Sequence, residues 1–231
     1  MTSKGINGKT WVKRHVRQAR SMFKHHRMTE VGPGHWRLRN KKEPCFYWCD
    51  IVVMGGCGLA VWGDIEGMFF SYYSGAKRPE ELVYWMANAD PGYYGRQKAH
   101  IGMSGPELVD EYVDEVAIYD LRQHLKWTKD GMGYEWDDSI EGGPYGTTTV
   151  GSEYTEAINN AIESIEQGQD LTLVKNELYD ALMGVDTDAW EWLGSIGRVP
   201  SSRLIYCLSA VRRLGQLLRA KEKRDERRQA A

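Results

Sequence analysis

Residues 45 to 54 read Cys-Phe-Tyr-Trp-Cys-Asp-Ile-Val-Val-Met, and no other stretch limits the fold so tightly. β-Branched and aromatic side chains at this density suit a pleated, half-buried surface better than a helix. Gly55-Gly56 then offers the positive φ angles of a hairpin turn, and Leu59-Ala60-Val61-Trp62 returns as a partner strand. Gly63-Asp64-Ile65-Glu66-Gly67 forms a second turn and Met68 to Tyr73 a further strand, while Trp36-Arg37-Leu38-Arg39 alternates as a strand before the run. These segments predict an antiparallel meander of about four strands. Asp50 and the glycines at 55, 56 and 58 interrupt the apolar stretch from Phe46 to Val61, so it lacks the roughly 20 continuous apolar residues of a membrane-spanning helix.

Helical spacing marks most of the rest. Trp11, Val12, His15, Val16, Ala19, Met22 and Phe23 give residues 1–31 the pattern of a basic amphipathic helix ahead of the Gly32-Pro33-Gly34 break. Pro79-Glu80-Glu81 opens a helix that Asp90-Pro91-Gly92 ends. Ser104 and Glu107 have capping-box spacing ahead of a long helix to about Trp127, with Leu108, Tyr112, Val116, Tyr119 and Leu125 on a shared face. An acidic, glycine-rich connection fills 128–151. Further helices follow around Ala157 to Ile165, stopped by Gly168, then at Leu171–Met183, at Asp186–Trp192 and from Pro200 to about Arg219. The expected fold is α+β, a small antiparallel meander packed with a mainly helical C-terminal half. Its expected segments are 1–31, 32–127, 128–151 and 152–231, the last ending in a charged tail. A chain of 231 residues, 42% hydrophobic, can build one large core or two small ones.

A net charge of −2 conceals strong segregation. Residues 1–43 carry 12 Lys and Arg against 2 Asp and Glu, residues 44–199 carry 9 against 27, and residues 200–231 carry 9 against 3. Lys13, Arg14, Arg17 and Arg20 on the first helix are candidate ligands for phosphate or for an acidic partner. The competing reading is a docked helix whose cations face the acidic centre of the same chain or of a second copy, which makes a homo-oligomer possible.

Candidate chemistry is sparse. Cys45, Cys49 and Cys57 with a histidine would make a zinc site, but the hairpin separates them along the ladder, so all four cysteines, Cys207 included, read as free thiols. Asp64 and Glu66 form a carboxylate pair in a turn, the centre of a hypothetical metal-dependent hydrolase; the alternative is that Gly63 and Asp64 simply fix the bend through backbone hydrogen bonds. A second acidic cluster, Asp137, Asp138 and Glu141, lacks calcium-loop spacing. No histidine sits in a nucleophile motif and no glycine-rich phosphate loop is present, so no catalytic residue and no cofactor is assigned. Tyr93, Tyr94, Arg96 and Lys98 mix aromatic and cationic groups on one loop, suited to nucleic acid or to a protein partner. Trp190 and Trp192 cannot share a helix face, so one of them belongs at a surface.

Trp36-Arg37-Leu38, Phe46-Tyr47-Trp48, the stretch from Gly58 to Phe70, Asp90-Pro91-Gly92-Tyr93-Tyr94-Gly95-Arg96-Gln97-Lys98 and the helix around Leu204 to Ala210 together resemble a group of phage and prophage proteins of unknown function. The resemblance covers most of residues 36 to 215. It implies a phage protein acting in the cytoplasm of a bacterial host by binding a host or phage protein, as an inhibitor of a host factor or of anti-phage defence does. The absence of a secretory pattern after Met1-Thr2-Ser3-Lys4 agrees with that location. Nucleic-acid binding through the basic helix is the alternative, and no membrane partner is expected.

Overall fold

The computed structural model describes residues 5–40, 48–64, 67–72, 75–101, 106–131, 150–184, 186 and 189–230. In chain order the elements are α1 (Gly8–Phe23), β1 (His26–Gly32), β2 (His35–Asn40), β3 (Cys49–Met54), β4 (Gly58–Gly63), β5 (Met68–Ser71), α2 (Pro79–Ala87), α3 (Tyr94–Ile101), α4 (Pro106–Val109), β6 (Asp110–Tyr112), α5 (Asp114–Gly131), α6 (Val150–Glu166), α7 (Leu171–Leu182), α8 (Ala189–Leu193), β7 (Arg198–Pro200) and α9 (Ser202–Gln229). They group into two compact units, Val12–Glu111 with Val199–Ala231, and Met1–Trp11 with Tyr112–Arg198. The α+β class expected from the sequence is the one observed. No helix among the described residues is long and apolar enough to cross a membrane.

The first unit is built on the meander, ordered β1-β2-β3-β4-β5. It has five strands because residues 26–32 leave the helix and pair antiparallel with β2. The basic helix therefore ends at Phe23, and Gly32-Pro33-Gly34 is a hairpin turn with Gly34 at φ 68°. The strand was masked in the sequence because its residues are mostly polar, as suits an exposed edge. Strand alternation sends Trp36, Leu38, Cys49, Ile51, Leu59, Val61, Met68 and Phe70 inward, where they share one core with Leu82, Val83 and Met86 of α2 and with the apolar face of α9. Among the described residues Cys49 and Cys207 are buried free thiols whose pKa burial raises, Cys207 to about 12, and Cys57 is exposed.

Gly63 and Asp64 fasten one end of the sheet. The Asp64 carboxylate accepts the Trp48 backbone N–H at 2.9 Å, and the Asp64 N–H donates to the Trp48 carbonyl at 3.1 Å. Gly63 lies at φ 149°, and a Cβ there would stand 2.2 Å from the Trp48 oxygen. The Gly-Asp pair thus clamps the neighbouring strand rather than shaping only its own turn.

The expected long helix of residues 104–127 is interrupted. Residues 106–109 form the short α4, residues 110–112 form β6, which pairs with β7, and only then does α5 begin. Tertiary demands override periodicity here: Asp110 is buried against Arg96, and Tyr112, expected inside, is exposed. α9 runs on through the charged tail to Gln229 and is capped by Ser201, whose hydroxyl accepts from the Leu204 N–H at 3.1 Å.

The second unit is helical, with Ala117, Leu121, Ile158, Leu178, Leu182 and Ile196 among its buried residues. Gly168 at φ 83° closes α6, and Asp170 caps α7 by accepting from Thr172 and Leu173. A polar cluster sits beside this core. His124 Nε2 lies 2.6 Å from the Tyr154 hydroxyl and its ring stacks on Trp192 at 3.8 Å, while the Trp192 indole N–H donates to Asp186 at 3.0 Å. Of the two tryptophans of α8, Trp190 is the surface one, 62% exposed. Most of the 128–151 connection, with Asp137, Asp138 and Glu141, lies outside the described residues, as do Cys45 and Glu66.

Two predictions follow from this packing. Gly63→Ala costs about 2–4 kcal/mol in chemical denaturation through clash and backbone strain. Gly32→Ala, which meets nothing within 4 Å, stays within about 0.5 kcal/mol of the parent. Burial lowers the His124 pKa below the ordinary 6.5, against a smaller opposing pull from Asp186. The unfolded chain therefore takes up a proton near pH 6.5 that the folded chain refuses, and stability from this site declines as pH falls through that value. Thermal unfolding followed between about pH 8 and 5 should show a steeper loss for the parent than for His124→Gln.

Candidate nucleic-acid interface

The basic helix carries its charge in a stripe. Lys13, Arg17 and Arg20 recur at i, i+4 and i+7, one face of the helix, Lys24 follows in the turn after it, and all four are exposed. Ala19 and Phe23 turn the other side inward, Phe23 into the core shared with the sheet. Asn7 starts the helix by accepting the Thr10 N–H at 2.7 Å. Arg14 is exposed but does not belong to this stripe.

Opposite the C-terminal half of that stripe, α9 presents Arg212 and Arg213. Together Arg17, Arg20, Lys24, Arg212 and Arg213 line a cleft of about 360 Å³, with Ser21, Ser209 and Gln216 as its polar groups and no carboxylate among the described residues. The Arg213 guanidinium is fixed in place by donating twice to the His26 carbonyl, at 3.1 and 3.2 Å. The Arg20 pKa is lowered, first by partial burial and then by the Arg212 charge. Like charges held together in a partly desolvated recess create a positive potential focused on one spot. Five cations with hydroxyl and amide donors between them suit an anion with several oxygens, such as a phosphodiester.

Of the residues singled out in the sequence, the structure brings Arg17 and Arg20 to this cleft and leaves Lys13 and Arg14 on the exposed helix beyond it. Tyr93, Tyr94, Arg96 and Lys98 form no cationic patch. Residues 94–101 are the helix α3 rather than a loop, begun by Asp90, which accepts the Tyr93 N–H at 3.0 Å. Arg96 turns inward to the buried Asp110. Lys98 is only 7% exposed, its ammonium 5.0 Å from the Tyr72 ring centroid and 5.3 Å from that of Tyr94. Tyr93, at 71% exposure, is the member that faces out fully. Sequence reasoning missed Arg212, Arg213 and Gln216. Their signal was present in an arginine pair between the inward Val211 and Leu214, at positions an amphipathic helix leaves at the edge of its buried face.

Among the described residues no group of three or more His, Cys, Asp or Glu is placed to hold a metal ion. No protein-family model matches the chain, and neither the curated proteins nor the solved structures give a match.

The inward role of Arg96 is directly testable. Arg96→Met removes an arginine paired with the buried Asp110 carboxylate and should cost about 3 kcal/mol in urea denaturation. Asp110→Asn combined with Arg96→Met should recover part of that loss, a coupling that a surface arginine does not produce.

Proposed function

We propose that this protein binds nucleic acid, gripping phosphates in the cleft between α1 and α9. The observation that carries the reading is the convergence of Arg17, Arg20, Lys24, Arg212 and Arg213 on one recess that no carboxylate among the described residues lines. A helix docked only to satisfy its charges would meet acids there. This puts the nucleic-acid alternative ahead of the host-factor inhibitor as the primary activity. A phage protein acting in the bacterial cytoplasm remains the setting the sequence resemblance suggests, and host or phage nucleic acid is then the accessible polyanion.

A protein partner is favoured by a separate observation in the helical unit. Tyr112, Tyr179, Leu193 and the exposed Trp190 line a cleft of about 320 Å³, and exposed aromatic groups of this kind are common anchors at protein interfaces. Binding nucleic acid at one unit and protein at the other would join the two expectations in one molecule.

With Arg213 partly committed to His26, about four cations remain to displace counterions, so the affinity for a duplex should fall about a hundredfold between roughly 50 and 200 mM salt. Arg20→Ala and Arg212→Ala should each weaken binding and make the logarithmic salt slope shallower by about one, measured by fluorescence anisotropy. Neither change should lower stability, since each relieves a like-charge contact. Binding that is absent in low salt, or that is unaltered in the double variant, would overturn the proposal.

A further inference from the structure

The meander uses only one face for its core. On the other face the register sets Arg27 opposite Arg39, and Arg37 between Thr29 and Asp50, which is in turn opposite Trp62. Trp48 precedes β3 on the same parity as Asp50. The result is a pleated surface with three arginines and two indoles.

Among the described residues two acids share this parity, Asp64, whose carboxylate accepts the Trp48 N–H at 2.9 Å, and Asp50. The Asp50 carboxylate accepts two hydrogen bonds from Arg37, each 2.7 Å, and lies 3.3 Å from His35 Nε2. It is buried, and the Arg37 hydrogen bonds hold its pKa below the usual carboxylate value, so it stays a fixed brace. Arg37 in turn lies over the Trp48 ring at 5.2 Å, which orients that indole. Trp62 keeps 38% of its surface exposed, and the His35 ring beside it is tilted at a centroid distance of 6.0 Å rather than stacked face to face. Arg27 and Arg39 are exposed at the β1 side of the same face.

The geometry points to this outer face as a platform for single-stranded nucleic acid, with bases stacking on Trp62 and Trp48 and the phosphates running toward Arg27 and Arg39. The inference rests on the nucleic-acid reading above and adds to it the class of ligand. Two features favour a single strand over a duplex. Indole faces on a sheet can stack only on bases that are already unpaired. The cations also lie across the strands from the indoles, as a backbone crossing the sheet requires, whereas a duplex would present phosphates alone and leave Trp62 without a partner. A protein occupant would meet two adjacent, directly opposed arginines, Arg27 and Arg39, and so would need an acidic counterpart in register.

The test uses the full chain with two labelled probes, a short oligothymidylate strand and a mixed-sequence duplex of equal length, read by anisotropy at one salt concentration. The parent should prefer the single strand. Trp62→Ala should weaken that binding about tenfold and leave duplex binding unchanged, and Trp62→Phe, which keeps a stacking ring, should restore most of the loss. Arg20→Ala should weaken both probes and leaves the sheet untouched. If Trp62→Ala, shown folded by circular dichroism, binds the strand as the parent does while Arg20→Ala still weakens both probes, the sheet inference falls and the cleft reading stands. If the parent binds neither probe, both fall.

Discussion

Trp36, Leu38, Ile51, Leu59, Val61 and Phe70 leave water because α9 brings Leu204, Cys207, Leu208, Val211, Leu214 and Leu218 into the same core. Each large apolar side chain so buried contributes about 1.5–3 kcal/mol, and the conformational entropy of ordering the strands consumes most of the total. The α2 helix, begun by Pro79 at its first position and closed at Ala87, adds to the cover of that face. Because period-two alternation ties the two faces together, fixing the inner set also fixes Arg37, Arg39, Asp50 and Trp62 on the outside.

The same packing positions the cleft. Phe23 enters the sheet core, and His26, fully buried beside it with its ring 4.8 Å from that of Phe23, offers its carbonyl to Arg213. Val211 and Leu214 are inward on α9, so Arg212 and Arg213 fall at the border of the buried face. The basic groups of two elements almost two hundred residues apart are thus aligned by apolar contacts neither set makes directly. The clustering of these cations is a consequence of where the hydrophobic residues go.

What was legible in the sequence tracks how locally each feature is encoded. The strands β2 to β5 announced themselves through Ile51, Val52 and Val53, through Gly55-Gly56 and through the alternation at Trp36 to Arg39. β1 did not, because Arg27, Thr29 and Glu30 read as polar surface and an edge strand can afford such residues. The break between α4 and α5 was hidden for another reason. Asp110 and Tyr112 fit helical periodicity, and it is the burial of Asp110 against Arg96 and the pairing with β7 that decide against it. Half of the cleft was visible as the stripe containing Arg17 and Arg20; the other half, Arg212 and Arg213, depends on a long-range packing that no local pattern reports. The Tyr93 segment misled for the converse reason, since residue type alone does not say that Arg96 and Lys98 point inward.

The treatment of cations elsewhere in the chain makes the cleft informative. Arg37 is matched by Asp50, Arg96 by Asp110, Arg122 by Glu166 at 2.9 Å and Lys221 by Glu30 at 2.9 Å. With 32 acidic residues available against 30 basic ones, composition does not force any cation to go unmatched. Yet between α1 and α9 the Arg20 pKa is depressed, first by partial burial and then by Arg212, and no acid among the described residues lines the recess between them. Such an arrangement raises the energy of the folded chain by like-charge repulsion, and a sequence shaped for stability alone would relieve it with a single glutamate. Local conflict of this kind concentrates where a ligand supplies the missing charge, and a phosphate backbone supplies it repeatedly at the spacing a row of arginines and lysines can follow.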